Sequence, residues 1–165
     1  MATNTKPSGD ELRTLADEAK TSQARIATEK GDIVFRFYPD EAPLHCAAFI
    51  KLTRNGFYDG LNFHRYEPGF VIQGGDPQGN GMGGPGYNLE AEFSHLPHVR
   101  GTVAMARAGN PNSAGSQFYI CLGDAPFLNR QYTVFGHVVE GLDVVDKIRA
   151  SDKMTKVTIE PKSEA

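Results

Sequence analysis

Several features that define particular protein classes are missing from this chain of 165 residues. It has no tryptophan and only two cysteines, Cys46 and Cys121, which are far apart and form no C-x-x-C pair. Buried free thiols are therefore favoured over a disulfide or a metal site. No apolar run approaches the roughly 20 residues that span a bilayer, so a membrane helix is excluded and no membrane partner is expected.

The chain also has no excess of positive charge and no run of basic residues. Its 17 Lys and Arg against 20 Asp and Glu give a formal net charge of -3, which argues against a nucleic-acid partner. The N-terminal residues lack the apolar segment of a signal peptide, so a cytoplasmic location is expected. Length and a hydrophobic share of 39% fit one folded domain. No second interface is evident, which favours a monomer.

Three zones divide the chain. Residues 1–23 contain no aromatic residue and form an N-terminal extension, either a short helix or disordered, that is expected to dock weakly or not at all. Within it, Ser8 and Glu11 form a capping-box pattern before a thin helical stripe, and a partner-binding helix is the alternative. Residues 24–162 carry the fold signals, and residues 163–165 are an ordinary tail.

Residues 24–162 contain many short strand-like runs separated by turn residues. A hairpin is predicted within 25–38, a helix from Ala42-Pro43 to Asn55-Gly56, and a second helix from about 142 to 150. Further strand-like runs lie at 63–66, 70–73, 102–107, 117–122, 132–139 and 157–159. Short strands with two helices predict a mainly β fold, a closed antiparallel barrel.

Glycine is concentrated in one segment, since seven of the 18 glycines fall within residues 74–86. Gly79, Gly81 and Gly84 satisfy G-x-G-x-x-G, the dinucleotide fingerprint, but that motif requires a following helix to hold the pyrophosphate. Pro85-Gly86 follows instead, and no lysine completes a P-loop. We therefore interpret the segment as a long loop with positive φ that leaves one side of a groove free of side chains.

The five histidines form no recognisable metal site. His95 and His98 are three positions apart, but Pro97 lies between them and no third ligand is close in sequence. The chain also lacks the G-x-S-x-G motif of a hydrolase. We therefore expect no metal and no cofactor.

Strand alternation in the runs 70–73 and 117–122 predicts which of their side chains could line a binding groove. Val71 and Gln73 fall on one face, and Gln117 with Tyr119 on another, which leaves the intervening positions to fill the core. Two amides, an aromatic ring and Arg65 could thus converge on a partly apolar groove. Each of these residues alone also fits an ordinary core or surface role.

Three motifs, F-H-R at 63–65, P-G-F-V-I-Q-G-G-D at 68–76 and G-S-Q-F at 115–118, together resemble the cyclophilins, a family of peptidyl-prolyl cis/trans isomerases. Several matched blocks in the right order are more specific than any single motif, and the similarity extends over about residues 25–161. The resemblance implies a closed eight-stranded antiparallel β-barrel capped by two α-helices. It also implies an outer-face groove that binds proline-containing peptides and client proteins.

The resemblance further implies the site residues. The family's catalytic arginine falls on Arg65 and its hydrogen-bonding glutamine on Gln73. The substrate-binding positions fall on Phe70, Val71, Gly81, Ala106, Arg107, Ala108, Gln117, Tyr119, Phe127, Leu128 and Tyr132.

Five of these positions depart from the residues that are usual in the family. Val71 replaces Met, and Arg107 replaces an Asn whose contacts run through its backbone, which adds a cation at the rim. Tyr119 replaces Phe and adds a hydroxyl that must be solvated or bonded. Phe127 replaces Trp and lacks the indole N–H, so weaker cyclosporin binding is expected. Tyr132, in place of His, keeps an aromatic wall.

The function implied by the resemblance is acceleration of rotation about X–Pro bonds, which assists protein folding. Arg65 would stabilise the twisted amide while an apolar pocket holds the proline ring. The alternative is a non-catalytic adaptor that binds proline-containing segments in the same groove. The intact arginine and both glutamines, Gln73 and Gln117, favour the enzyme.

Overall fold

The structure, a computed structural model, describes residues 4–163, so the first three residues of the extension and the last two of the tail lie outside it. The helices in the described part are α1 (Gly9–Ala19), α2 (Pro43–Arg54) and α3 (Leu142–Lys147), with a 3₁₀ turn at Pro126–Leu128. The strands are β1 (Ser22–Thr28), β2 (Gly31–Phe37), β3 (Arg65–Glu67), β4 (Val71–Gly74), β5 (Thr102–Met105), β6 (Phe118–Cys121), β7 (Val134–Glu140) and β8 (Lys156–Pro161). The predicted mainly β class is confirmed.

The eight strands form one antiparallel sheet in the order β3-β4-β6-β5-β7-β2-β1-β8. The predicted closure is wrong, because β3 and β8 are edges that do not pair, and the sheet is an open half-barrel. A turn at Pro68-Gly69, where Gly69 has φ +72°, ends β3 after three residues. The segments that precede the two edge strands meet instead, through an isolated bridge between Asn62 and Lys153.

The two faces of the sheet have different roles. Phe118 and Ile120 of β6 are fully buried in the main core, as the alternation predicts, together with Phe35 of β2. Tyr119 and Cys121 point the other way and belong to a second apolar cluster on the outer face. The outer face of β4, β5 and β6 therefore has its own buried apolar floor, and the candidate site is built on it.

Three α-helices are present in the described residues: α2 and α3 in the two regions predicted to be helical, and α1, the short helix that was one alternative for the N-terminal extension. The helix α1 packs against α2 rather than extending into solvent, which differs from the weak docking that was expected. Glu11 pairs with Lys51 at 2.9 Å and Glu18 pairs with Arg54, while Leu15 packs against the core. The capping box does not form, because Glu11 is engaged with Lys51 and the Ser8 side chain makes no cap hydrogen bond.

The helix α3 ends three residues before the predicted end at Ala150. Ile148 adopts extended backbone, with φ -64° and ψ 138°, and its side chain is fully buried. The helix therefore ends at Lys147, and the extended backbone at Ile148 accompanies the burial of its side chain in the core. No helix of the described residues is long and apolar enough to cross a membrane.

Candidate active site

Four neighbouring strands place a row of side chains across the outer face of the sheet. The register pairs Arg65 of β3 with Gln73 of β4, and Gln73 with Tyr119 of β6. Tyr119 in turn pairs with Ala104 of β5. Because directly paired residues point to the same face, residues that are far apart in sequence become neighbours at one site.

A relay of hydrogen bonds starts at Arg65. Its Nη1 donates to Gln73 Oε1 at 3.3 Å, and Gln73 Nε2 donates to Gln117 Oε1 at 3.2 Å. Gln117 Nε2 then donates to the carbonyl oxygen of Gly83 at 2.9 Å. Each amide thus uses its oxygen toward one neighbour and its nitrogen toward the next. The arginine is connected in this way to the glycine-rich loop.

The guanidinium of Arg65 remains accessible. The side chain is 44% exposed, and its Nε lies 3.5 Å from Glu67 Oε1. Its Cζ is 5.8 Å from the centroid of the Phe70 ring. Arg65 is therefore held by Gln73 and Glu67 while N–H groups are left free to donate to a ligand beside an aromatic ring.

Two adjoining cavities open on this face. The smaller one, which we call the ring pocket, has a volume of about 150 Å³ and is lined by Arg65, Phe70, Val71, Gln73, Ala106, Arg107, Tyr119, Leu128 and Tyr132. The larger one, the loop pocket, has a volume of about 550 Å³, shares Gln73, Ala106 and Arg107 with the first, and includes the predicted residues Gly81, Ala108 and Gln117.

Phe127 is the one predicted site residue that lines neither cavity. The residue is 66% exposed, and its ring centroid lies 5.6 Å from that of Phe70. It therefore extends the apolar surface beside the ring pocket without entering the pocket.

Arg107, which was expected to add a cation at the rim, lines both cavities, and its guanidinium is bonded to backbone carbonyl groups. Its Nη2 and Nε donate to the Gln131 carbonyl at 2.8 and 3.1 Å, and its Nη1 donates to the Ala108 carbonyl at 2.9 Å. The guanidinium carbon lies 4.6 Å from the centroid of the Tyr132 ring. Arg107 therefore clamps two loops together and supports the Tyr132 wall of the ring pocket.

The hydroxyl of Tyr119 is bonded inside the protein rather than solvated. It lies 2.8 Å from Nε2 of His98, a residue that is only 1% exposed. Burial raises the pKa of Tyr119, and burial lowers the pKa of His98 against the opposing effect of a hydrogen bond to Asn129. Sequence reasoning weighed His98 only as a metal ligand and missed this contact. The signal was Tyr119 itself, because a buried tyrosine requires a partner.

Asp76 organises the glycine-rich loop, and sequence reasoning assigned it no role. Its carboxylate accepts the backbone N–H groups of Gln78 at 2.8 Å, of Asn80 at 2.9 Å and of Gly81. Burial raises the pKa of Asp76, but these three donors outweigh it and hold the pKa below its usual value. A side chain at Gly83 would collide with the carboxylate. The loop therefore wraps closely around an internal anion.

Within residues 4–163, no three His, Cys, Asp or Glu side chains come together as a metal site. Cys46 and Cys121 are free and buried, as predicted. Burial raises the pKa of the Cys46 thiol and raises that of Cys121 to about 12. Neither thiol is suited to act as a nucleophile.

Comparison with known proteins identifies the family. Residues 23–163 match the family model described as "Cyclophilin type peptidyl-prolyl cis-trans isomerase/CLD". The chain belongs to the cyclophilin family. The resemblance carried by the three sequence motifs is thereby confirmed.

Relatives within the cyclophilin family are similar over most of their length. A peptidyl-prolyl cis-trans isomerase of Helicobacter pylori is 46% identical over 143 residues, which cover 84% of this chain and 87% of the relative. One of Synechococcus elongatus is 47% identical over 140 residues, covering 84% and 96%. The crystal structure of a Cryptosporidium parvum cyclophilin, in the presence of the dipeptide Ala-Pro, has a TM-score of 0.79 at 32% identity and covers 85% and 99%. The chain is therefore a peptidyl-prolyl cis-trans isomerase.

Proposed function

We propose that Arg65 is the catalytic residue of this isomerase and that the ring pocket holds the proline ring of the substrate. The observation that carries the proposal is the position of the guanidinium at the mouth of an apolar pocket lined by Phe70, Tyr119 and Leu128. A substrate proline in that pocket would bring its amide nitrogen close to a hydrogen-bond donor that is always charged.

The reaction requires rotation about a bond and no change in covalent connectivity. An X–Pro bond resists rotation because the nitrogen lone pair is delocalised into the carbonyl, which gives a barrier of about 18–20 kcal/mol. In the twisted transition state the lone pair is localised on nitrogen. A hydrogen bond from Arg65 to that nitrogen is therefore stronger in the transition state than in the planar ground state, and this difference lowers the barrier.

The pocket and Gln73 supply the positioning that this hydrogen bond requires. A 10⁵-fold acceleration corresponds to about 7 kcal/mol, at about 1.36 kcal/mol for each tenfold change in rate. One hydrogen bond donor contributes less than this. The rest is attributed to immobilisation of the ring in the pocket and to the bond from Arg65 to Gln73, which fixes the guanidinium before substrate binds.

The proposed substrates are proline-containing segments of peptides and client proteins, so the isomerase would assist protein folding. The Cryptosporidium parvum relative crystallised in the presence of Ala-Pro supports this substrate class. Cyclosporin is expected to inhibit only weakly, because the exposed Phe127 has no indole N–H to donate.

Substitution of Arg65 tests the mechanism. We expect Arg65→Ala to lower kcat/KM for a short X–Pro peptide about a hundredfold or more, because it removes the donor to the amide nitrogen. NMR exchange spectroscopy measures the cis/trans rate, with and without cyclosporin. The matched control is Arg13→Ala, since Arg13 is an exposed arginine of α1 that lines neither cavity.

Two results would contradict the proposal. Near-normal exchange by a folded Arg65→Ala variant would remove Arg65 from the mechanism. Peptide binding without acceleration by the unmodified protein would favour the adaptor instead. Thermal unfolding of the variant separates loss of catalysis from loss of fold.

A further inference from the structure

The hydroxyl of Tyr119 points away from the ring pocket, toward the buried His98. The Oη–Nε2 distance is 2.8 Å, and the two rings are nearly parallel, with centroids 5.9 Å apart and an interplanar angle of 19°. A buried hydroxyl without a partner is costly. The contact with His98 therefore allows a tyrosine to serve where the ring pocket requires only the apolar surface of a ring.

The other nitrogen of His98 determines which way the protons point. Asn129 Oδ1 accepts the backbone N–H of His98 at 2.7 Å, and His98 Nδ1 lies 3.3 Å from the same oxygen. Since a backbone N–H can only donate, the Asn129 atom is an acceptor, and His98 Nδ1 carries the proton. In the neutral imidazole, Nε2 is then the acceptor and Tyr119 Oη is the donor.

His98 also connects the floor of the pocket to its rim. Its carbonyl oxygen accepts the backbone N–H of Ala125 at 2.9 Å, and Asn129 bonds to its ring and to its backbone. These two residues flank the 3₁₀ turn Pro126–Leu128, which supplies Leu128 to the ring pocket. The His98 ring thus contacts Tyr119 of β6 and Asn129 at the end of the turn, and the His98 backbone adds the bonds to Ala125 and Asn129.

We propose that His98 is a positioning residue of the isomerase, which holds the Tyr119 ring in place as the floor of the ring pocket through the tyrosine hydroxyl. The inference rests on the proposed role of the ring pocket. Loss of His98 would release the hydroxyl, and the ring would tilt or admit water to satisfy it. Binding of the proline ring would suffer in the ground state and in the transition state alike, so the effect falls mainly on KM.

A double-mutant cycle tests the inference. We expect His98→Leu to lower kcat/KM for an X–Pro peptide about tenfold, mainly through KM. Tyr119→Phe lowers it less, because the ring remains. The double variant recovers most of the loss caused by His98→Leu, because Phe has no hydroxyl to satisfy and Leu no nitrogen. His95→Leu, an exposed histidine on the same loop, is the matched control and leaves the activity unchanged.

Independent effects of the two substitutions, with no recovery in the double variant, would overturn the inference. Side-chain ¹H–¹⁵N spectra of the unmodified protein give a second reading that does not depend on the folding of His98→Leu. They are expected to show the proton of His98 on Nδ1, and a proton on Nε2 instead would overturn the assignment. Tyr119→Ala separates the two proposals. Full activity of Tyr119→Ala would refute the proposed role of the ring pocket itself. If Tyr119→Ala loses activity but the double-mutant cycle shows no coupling between Tyr119 and His98, only the positioning role of His98 is refuted.

Discussion

Replacement of Asp76 by asparagine is the sharpest test of how the glycine-rich loop is built. The substitution keeps the size of the side chain and removes its charge. In the protein the two oxygens of Asp76 accept three backbone N–H groups, from Gln78, Asn80 and Gly81. An asparagine has one oxygen, so at least one of these donors must face an amide nitrogen that cannot accept it.

The expected cost follows from that count. The less costly orientation keeps the oxygen toward Asn80 and Gly81 and turns the amide nitrogen toward Gln78. One charge-assisted hydrogen bond is then lost and the others are weakened, so the free energy of unfolding should fall by about 2–3 kcal/mol. For a domain of this size the melting temperature should fall by about 5–10 °C.

The destabilisation caused by Asp76→Asn should disappear in acid. The folded-state pKa of Asp76 lies below its usual value, so its stabilising contribution is fully present above the unfolded pKa of about 3.9. The contribution is lost as the pH falls through the folded pKa. The difference in melting temperature between the unmodified protein and Asp76→Asn should therefore be present at pH 7 and shrink below about pH 4.

Thermal unfolding followed by circular dichroism over this pH range measures the difference, and subtraction cancels the carboxylates that titrate in both proteins. Asp40→Asn, at an exposed position, is the matched control and should change the melting temperature little at any pH. A loss for Asp76→Asn that persists unchanged at pH 3, or no loss at pH 7, would refute the role of the carboxylate as the anchor of the loop.

Two further predictions concern contacts outside that loop. Arg107→Asn should lower kcat/KM about three- to tenfold by releasing the Tyr132 wall, and Arg107→Lys should fail to restore it because lysine lacks the planar fork that reaches two carbonyls. Full activity of the lysine variant in the same exchange assay would contradict this explanation. Leu15→Ala on α1 should lower the free energy of unfolding by about 1–2 kcal/mol, measured by urea denaturation, with kcat/KM unchanged. A loss no larger than that of the exposed Thr14→Ala would show that docking of α1 contributes nothing.

The parts of the fold that could be predicted are those that depend on local patterns. The alternation around Phe118 and Tyr119 assigned one side chain to the core and the other to the opposite face, and both lie there. The match of Arg65, Phe70 and Gln73 to a family motif indicated three residues that line one pocket, two of which, Arg65 and Gln73, are paired by the strand register. These inferences require only the two-residue alternation of side chains along a strand and the order of the motifs in the sequence.

The parts that could not be predicted depend on contacts between distant segments. Closure of the barrel depends on the length of β3, which a turn limits to three residues. The start of α2 is capped by Glu92, whose carboxylate accepts the backbone N–H groups of Leu44 and His45 at 3.1 and 2.9 Å from a loop far along the chain. Docking of α1 depends on the charges of Lys51 and Arg54. No local pattern encodes such pairs.

The open edge of the half-barrel has a consequence for the order in which the protein folds. Arg65 lies on the edge strand β3, and the segment before that strand is fixed by the bridge from Asn62 to Lys153. At the other edge, β8 pairs with β1, so Ser22 is opposite Pro161. Contacts of such long sequence separation form late. During synthesis β3 therefore acquires the support of this bridge only after Lys153 has left the ribosome.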